Sequence, residues 1–312
     1  VTLDQVISKA DIEAGLLTFQ GAANAEGSGY ATVKFAVVNA NGEDSTPNTL
    51  TFDVTAVNDV PVITVAGGAE TEATNEDTSV AVTGLSVADV DNTSLHEVVL
   101  SVTNGTLTVK LDVTSGVTSA AGNGTNSVTL TGPVAEINAT LANAAGVTFA
   151  PTANFNGSAV VSMAATDLAS GGLTATTNTA VTVTVNAVDD LPTGADKTLT
   201  ATEDTPLVVT LADFGYADID SDAITGVKIT TLESAGDLKL NNADVTLNQV
   251  ITKADIEAGK LTFQGAANAE GSGYATAQFV VVNANGEDSS PNTLTFDVAA
   301  VEDEATGSVT FT

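Results

Sequence analysis

The chain lacks cysteine, tryptophan and arginine, and aromatic residues make up only 4% of its 312 residues. Without cysteine it has no disulfides, no thiolate zinc sites and no cysteine nucleophile. Its hydrophobic cores must therefore be built from Val, Leu, Ile and Ala with a few Phe. The length is too great for one β-sandwich and suits two to three domains.

Positive charge is also scarce, because lysines supply all eight basic residues against 39 acidic ones, and the formal net charge is −31. Phosphate backbones require clustered Lys and Arg, so nucleic acid is not expected as a partner. An anionic membrane surface would repel the chain for the same reason. Excess carboxylates repel one another unless cations neutralise them. The charge therefore indicates either divalent-cation binding or simple solubility in salty surroundings.

Long apolar runs are missing as well. No run approaches the ~20 residues that a membrane-spanning helix needs, so direct membrane insertion is not expected. No signal-peptide pattern opens the chain either. Together with the partial repeat described next, this favours a segment of a longer exported protein.

An internal repeat organises the sequence. Residues 1–57 reappear at 245–301, a period of 244 residues. Self-similarity on this scale predicts an array of modules. The eight positions at which the copies differ are Asp4/Asn248, Ser8/Thr252, Leu16/Lys260, Val33/Ala277, Lys34/Gln278, Ala36/Val280, Thr46/Ser290 and Thr55/Ala299.

Short acidic linkers divide the array. Val57-Asn58-Asp59-Val60-Pro61 and Val188-Asp189-Asp190-Leu191-Pro192 share one pattern, and Val301-Glu302-Asp303 repeats it without the proline. Each linker follows a β-rich run, and a proline there would end the strand. The predicted parts are 1–57 (the C-terminal half of a sandwich repeat), 58–188 and 189–301 (complete sandwiches), and 302–312 (the start of a further repeat).

Alternation of apolar and polar residues predicts strands. In 292–301, Leu294, Phe296 and Val298 share one face while Thr295 and Asp297 share the other. Six or seven such runs in each full domain predict an all-β, immunoglobulin-like sandwich. Two short helical turns are also predicted, one capped by Thr252 and one opened by Pro133. The predicted runs are 80–82, 98–103, 107–111, 127–130, 146–149, 159–164 and 179–185, then 197–202, 207–211, 224–232, 260–264, 274–282 and 292–301.

No catalytic arrangement is found in the sequence. The single histidine, His96, is interpreted as an exposed surface residue. There is no second clue for a Ser-His-Asp arrangement and no Gly-x-Ser-x-Gly nucleophile elbow. Paired carboxylates of a glycosidase need a cleft, which sandwiches so poor in aromatics rarely form. The chain is therefore predicted not to be an enzyme.

Several short motifs occur in the same order in both full domains. Domain 58–188 contains Asn75-Glu76-Asp77-Thr78, Asp89-Val90-Asp91, Asn154-Phe155-Asn156-Gly157 and Ala165-Thr166-Asp167, and domain 189–301 opens with Glu203-Asp204-Thr205 and Asp218-Ile219-Asp220. This order resembles the cadherin-like repeats of giant bacterial surface adhesins. The middle of the second domain, residues 251–263, is similar to the chondroitin-sulfate-proteoglycan repeat. The resemblance implies tandem immunoglobulin/cadherin-like antiparallel β-sandwiches in a linear array.

Cadherin-like modules bind calcium at their junctions, and calcium takes six to eight oxygen ligands, several from carboxylates. The resemblance places Glu76, Asp89 and Asp91 at one end of the first full module, together with the linker residues Asp189 and Asp190. In the family's linker an acid stands where this chain has Ala56 or Ala187, so at most one or two ions per junction are expected. The alternative is that these acids are solvated turn residues. The ligands that the resemblance implies are Asn58, Asp59, Glu76, Asp89, Asp91, Asp167, Asp189, Asp190, Glu203, Asp218, Asp220, Asp222, Glu302 and Asp303.

Together these observations predict structural extender repeats of a large extracellular bacterial adhesin, secreted or anchored to the cell surface, with calcium as cofactor. The expected partners are flanking repeats of the same polypeptide and other copies of the chain. Two alternatives remain open. One is a homophilic adhesion or filament-forming module, and the other is a spacer of an extracellular polysaccharide-degrading enzyme.

Overall fold

A computed structural model describes residues 1–66, 71–169, 172–176 and 181–302. The chain divides into two compact units, Val1–Ala187 and Val188–Thr312. Strands dominate both units and helices are few, which confirms the predicted all-β fold class. Across the described ranges, none of the helices is both long enough and apolar enough to cross a bilayer.

The first unit opens with the repeated segment. This segment holds helix α1 (Lys9–Glu13) and strands β1 (Gly27–Phe35) and β2 (Asn48–Val54). The elements that follow are β3 (Val62–Val65), β4 (Thr71–Asn75), β5 (Val80–Ala81), β6 (Leu85–Ala88), β7 (His96–Val102), β8 (Gly105–Val109), β9 (Ala120–Ala121), β10 (Ser127–Gly132), α2 (Val134–Leu141), β11 (Val147–Pro151), β12 (Gly157–Asp167), β13 (Thr174–Thr176) and β14 (Val181–Asn186).

Two facing sheets enclose the core of this unit. One sheet has the order β4-β14-β12-β7-β10-β9 with β13 beside β12, the other has the order β5-β11-β8, and β3 pairs with β6. All these pairs are antiparallel except β4 with β14, which is parallel. Every second residue of β12 from Ala159 to Asp167 is buried, as the period of two predicts. Helix α2 packs Ile137 and Leu141 into the same core.

The second unit is a sandwich of the same kind. Its sheets have the orders β15-β23-β22-β17-β20 and β16-β21-β18-β19, and β15 runs parallel to β23. Its elements are β15 (Lys197–Thr202), β16 (Leu207–Val208), a 3₁₀ turn (Leu211–Phe214), β17 (Ile224–Thr231), β18 (Asp237–Leu240), β19 (Ala243–Asp244), β20 (Val250–Thr252), α3 (Lys253–Glu257), β21 (Leu261–Gln264), β22 (Gly271–Asn283) and β23 (Asn292–Ala299).

Phenylalanines concentrate in the core of the second unit. Phe263 stacks on Phe296 with ring centroids 3.8 Å apart, and Phe214 meets Phe279 edge-on at 4.9 Å. Such pairs add about 0.5–1.5 kcal/mol beyond the area that they bury. The few aromatic residues of the chain therefore stabilise this core strongly.

The structure also corrects some of the predicted elements. The run 207–211 is not one strand: β16 ends at Val208, and the 3₁₀ turn follows, because Thr210 and Asp213 cap it. Thr252 caps α3 as predicted, accepting the amide of Asp255 at 3.1 Å. Pro133 is the N-cap of α2 rather than part of its first turn. The first two residues of the run 179–185 lie outside the described residues.

Candidate functional site

The Asp-x-Asp motif of the first unit forms a tight turn after β6. One carboxylate oxygen of Asp89, Oδ1, accepts the backbone N–H of Asp91 at 2.9 Å and of Asn92 at 2.8 Å. The Oδ2 atom of Asp91 accepts the backbone N–H of Asp59. The linker that leads into this sandwich is thus hydrogen-bonded to the second carboxylate of the motif.

Asp167 ends β12 beside this turn and is fully buried. Its Oδ1 accepts the amide of Asn92 at 2.7 Å and the backbone N–H of Ala169 at 2.9 Å. Burial raises the pKa of Asp167, but hydrogen bonds from Asn92, Ala169 and Asn58 outweigh it and hold the pKa below its usual value. The Oδ2 atom is buried without a well-formed hydrogen bond among the described residues. Asp167 is therefore a charged carboxylate, and its Oδ2 atom has no well-formed hydrogen bond.

His96 was predicted to be an exposed surface residue, and that prediction is wrong. His96 opens β7 opposite Asp167 and is fully buried. Its Nε2 lies 3.0 Å from Oδ2 of Asp89. Burial raises the pKa of Asp89, but hydrogen bonds from Asn92, His96 and Asp91 lower it below its usual value. This burial could not be predicted from the neighbouring residues, because Leu95 before His96 is exposed and Glu97 after it is half-buried.

The second unit repeats the same turn with other neighbours. Asp218 Oδ1 accepts the backbone N–H of Asp220 at 3.0 Å and of Asp222 at 3.1 Å. Asp220 Oδ2 accepts the backbone N–H of Asp190 at 2.7 Å, so this linker too is hydrogen-bonded to the second Asp of its motif. We call Asn58, Asp59, Asp89, Asp91 and Asp167 with His96 the first upstream cluster, and Asp189, Asp190, Asp218, Asp220 and Asp222 with Asn285 the second upstream cluster.

Like charges meet directly in the second upstream cluster. The Nδ2 group of Asn285 donates to Asp189 Oδ2 at 2.7 Å and to Asp222 Oδ2 at 2.6 Å. Partial burial, then the carboxylates of Asp189 and Asp218, raise the pKa of Asp222. Burial and the charge of Asp218 raise the pKa of Tyr216 to about 12. A neutral amide is thus the direct bridge between two carboxylates that repel each other.

The sequence did not single out Asn283, Asn285, Asn92 or Tyr216. Asn283 pairs with Ile224 at the start of β17, as Asp167 pairs with His96 at the start of β7. Aligning Val281-Val282-Asn283 with Ala165-Thr166-Asp167 would have found this position. Asn92 directly follows the Asp-x-Asp motif and could have been found from that adjacency.

Glu76 does not join the first upstream cluster, contrary to the sequence prediction. Its backbone N–H donates to Asn186 at the end of β14, 2.9 Å away, and Gly157 at the start of β12 pairs with Val185. Asp167 is at the other end of β12, roughly 33 Å away at the usual rise per residue. Strands β4 and β14 run in parallel toward the same end of the sandwich. Glu76 therefore lies at the end from which the next linker leaves, which we call the downstream end.

The second unit has the same arrangement at its downstream end. The backbone N–H of Glu203 donates to Ala299 at 3.0 Å, and Glu203 Oε1 accepts the N–H of Val301. Glu302 follows and is exposed. Asp303 lies outside the described residues. Glu203 therefore contacts the linker that leaves the sandwich, whereas Asp220 contacts the linker that leads into it.

The donor chemistry of the upstream clusters fits a hard cation. Their oxygens come from carboxylates and amides, the ligands that calcium prefers over the nitrogen and sulfur ligands of zinc. The buried, unused Oδ2 of Asp167 gives the first cluster a donor that an ion would satisfy. Within the described ranges, no three Asp, Glu or His side chains form a ready-made metal-binding group. Calcium binding would therefore require the side chains of a cluster to move closer together.

Comparisons with known proteins give structural likeness alone. No family model matches the chain, and no curated protein matches it. The solved structures that are similar include the extracellular cadherin domains 1–5 of protocadherin gamma B2 (13% identity, 87% of this chain and 46% of that one, TM-score 0.42). Human mucin-like protocadherin EC1-2 is 15% identical over 77% of this chain and 99% of that one, with a TM-score of 0.35. An endo-fucoidan hydrolase of glycoside hydrolase family 107 is 14% identical over 87% of this chain and 34% of that one, with a TM-score of 0.26.

Proposed function

We propose that the chain is a non-enzymatic extender segment of a large extracellular bacterial adhesin, in which calcium at the upstream clusters fixes each linker to the sandwich that it leads into. One observation carries the proposal. In both units a linker backbone N–H donates to the second carboxylate of the Asp-x-Asp motif, Asp59 to Asp91 and Asp190 to Asp220. The same contact in two sandwiches of different sequence supports a common role.

Charge gives the reason for a cation. The chain has 39 acidic residues against eight lysines, and the charges of Asp189, Asp218 and Asp220 all act on Asp222 in the second upstream cluster. Carboxylates this close repel each other unless a cation lies between them. A bound calcium would remove that repulsion and hold the linker, so the linker would be stiff with calcium and loose without it. The downstream acids Glu76, Glu203 and Glu302, together with Asp303, stay predictions for calcium ligands.

Stiffness fits an extender better than a catalyst. The mechanical role needs only sandwiches in series with defined linkers. Calcium sites of extracellular modules have dissociation constants around 10⁻⁴–10⁻³ M. At ten- to a hundredfold excess, each ion adds about 1.4–2.7 kcal/mol to stability. The role of spacer in a polysaccharide-degrading enzyme remains an alternative prediction.

Calorimetric titration of the full chain with calcium, and with magnesium for comparison, tests the proposal. We expect binding with the affinity given above and a higher melting temperature in calcium. Asp89→Asn and Asp218→Asn keep the size of the side chain and should each remove one site. Matched controls are Asp112→Asn and Asp244→Asn, whose side chains are 81% and 76% exposed. Equal titrations for site and control variants would contradict calcium binding at these clusters.

A further inference from the structure

The amide that bridges Asp189 and Asp222 belongs to an Asn-Gly pair. Asn285 is exposed, and Gly286 after it is exposed as well, with a φ of 83°. A Cβ added at Gly286 would meet no atom within 4 Å, so no neighbouring side chain covers the backbone at this point. Glycine has no side chain of its own to shield its nitrogen. The side chain of Asn285 therefore lies next to an unshielded backbone nitrogen.

The reaction open to such a pair is deamidation, and asparagine is among the thermolabile residues. The backbone nitrogen of Gly286 loses its proton and attacks Cγ of Asn285, which forms a new C–N bond and closes a succinimide ring. The Cγ–Nδ2 bond breaks, and the leaving nitrogen takes up a proton and departs as ammonia. Water then opens the ring and leaves the carboxylate of aspartate or isoaspartate. The reaction consumes water, releases ammonia and needs no oxidant or reductant.

Two carboxylates hold the reacting amide in place. Nδ2 of Asn285 donates to Asp189 Oδ2 at 2.7 Å and to Asp222 Oδ2 at 2.6 Å. The backbone N–H of Gly286 donates to the carbonyl of Asn283 at 3.2 Å. Attack requires the nitrogen and Cγ to be aligned at about 3–3.5 Å, and a side chain fixed by two hydrogen bonds does not rotate freely into that alignment. The hydrogen bonds to Asp189 and Asp222 therefore slow the reaction.

A second Asn-Gly pair is held more completely. Oδ1 of Asn123 accepts the backbone N–H of Val109 at 2.7 Å, and its Nδ2 donates to the carbonyl of Val109 at 3.0 Å. The backbone N–H of Gly124 donates to the carbonyl of Leu107 at 2.9 Å. Both ends of that amide are thus fixed by the backbone of β8. Among the described residues, only the Nδ2 end of the Asn285 amide is held, and its partners are side chains.

We propose that Asn285 is a site of spontaneous deamidation whose rate is set by its hydrogen bonds to Asp189 and Asp222. The product places a further carboxylate beside two that repel each other. Burial and the charges of Asp189 and Asp218 already raise the pKa of Asp222, so without a cation the product is less stable than the parent chain. With calcium the new carboxylate is an additional ligand, a consequence that rests on the function proposed above.

Mass spectrometry of the full chain, incubated with a chelator at mildly alkaline pH, tests the modification site. The peptide that carries Asn285 should gain the mass difference between an amide and a carboxylate, and it should do so faster than the peptide that carries Asn123. Asp222→Ala removes a charged acceptor and should accelerate the conversion of Asn285 about tenfold. Asp189→Ala, in the linker and outside the strands, should act in the same direction.

Two controls separate release of the amide from general loosening of the chain. Asp244→Ala changes a carboxylate that is 76% exposed and should leave the rate at Asn285 unchanged. Asn41 lies in a stretch, residues 37–45, whose sequence is identical to that of 281–289. Because Asn41 does not contact Asp222, its rate should be the same in the parent chain and in Asp222→Ala. Amide exchange in β17 shows whether each variant keeps the fold of the second unit.

Two results would overturn the proposal. One is an Asn285 peptide that stays unconverted in the parent chain and in both Asp222→Ala and Asp189→Ala. The other is equal acceleration by Asp244→Ala, which would mean that the carboxylates at Asn285 do not set the rate. Calorimetric titration of Asn285→Asp tests the consequence for calcium, with binding about tenfold tighter than that of the parent chain expected. Gated conversion in a chain that binds no calcium would contradict the proposed function and support the modification site.

Discussion

The two upstream clusters both bring carboxylates close together, but different neighbouring residues stabilise those charges. Both place an Asp-x-Asp turn beneath the linker, but the first has a buried histidine against Asp89, and the second has Ile224 at the corresponding position. In the second, Asn285 bridges Asp189 and Asp222. The pKa shifts differ at one position: the pKa is lowered for Asp89 and Asp167 and also for Asp218, the counterpart of Asp89, but it is raised for Asp222.

The comparison indicates that hydrogen bonds stabilise the charged form of Asp89 and Asp167 in the first cluster, where Oδ2 of Asp167 stays unused, whereas the second cluster retains repulsion at Asp222. A hydrogen bond to a carboxylate stabilises its charged form, and a neighbouring like charge destabilises it. If calcium acts at both places, the second cluster should depend on it more. The four experiments below test this difference between the clusters, in order from the largest expected effect to the smallest.

His96→Ile gives the first unit the residue that the second unit has at this position. It removes a buried partner of the Asp89 carboxylate, and a buried charge left without its partner costs about 3 kcal/mol. We expect a loss of that size in the first unit only, measured by amide exchange in urea. His96→Gln keeps an N–H donor and should recover part of the stability. A neutral or stabilising His96→Ile would mean that backbone N–H groups suffice for Asp89.

Removal of calcium by a chelator should have the second-largest effect and should destabilise the two units unequally. Removing calcium should lower the stability of each unit by about 1.4–2.7 kcal/mol per ion bound at ten- to a hundredfold excess. The loss should be larger in the second unit, because Asn285 alone bridges its repelling carboxylates there. Amide exchange with and without chelator, followed in β7 and β17, measures both units in one sample. An equal loss in both, or a larger loss in the first, would contradict the comparison.

Asn285→Ala and Asn285→Asp test the bridging amide directly. Without calcium, Asn285→Ala leaves two carboxylates without their shared donor and should cost about 1 kcal/mol. Asn285→Asp should cost more, because it adds a charge to the same place. With calcium the order should reverse, since an additional carboxylate is a ligand. Asn41, the counterpart of Asn285 in residues 1–57, provides the matched control, Asn41→Asp. An order that calcium leaves unchanged would show that no ion binds beside Asn285.

Periodicity in the sequence was enough to predict the sandwiches but not the composition of the clusters. Strand β15 occupies the residues predicted for it, because a run of alternating residues has a single register that buries its apolar face. Glu76 was misplaced because the order of motifs that carries the resemblance does not reveal that β4 and β6 lead to opposite ends of the sandwich. The burial of His96 depends on pairing with Asp167, some 70 residues away, which no local pattern encodes.

The smallest expected effect is a difference in the pH dependence of the two units without calcium. The pKa of Asp89 and of Asp167 is lowered from 3.8, so the stability that they contribute is present above pH 3.8 and is lost as the pH falls through their lower folded values. The pKa of Asp222 is raised from 3.8 by its partial burial and by Asp189. Its contribution has the opposite sign, because protonation in the folded state relieves repulsion as the pH falls toward 3.8.

Between pH 7 and pH 4 the second unit should therefore gain stability relative to the first, and Asp222→Asn should remove that gain while Asp244→Asn should not. Amide exchange in urea at several pH values, followed in β7 for the first unit and in β17 for the second, measures both units in one sample. If the stability of the second unit falls from pH 7 to pH 4 at least as steeply as that of the first, the repulsion assigned to Asp222 is not present in solution.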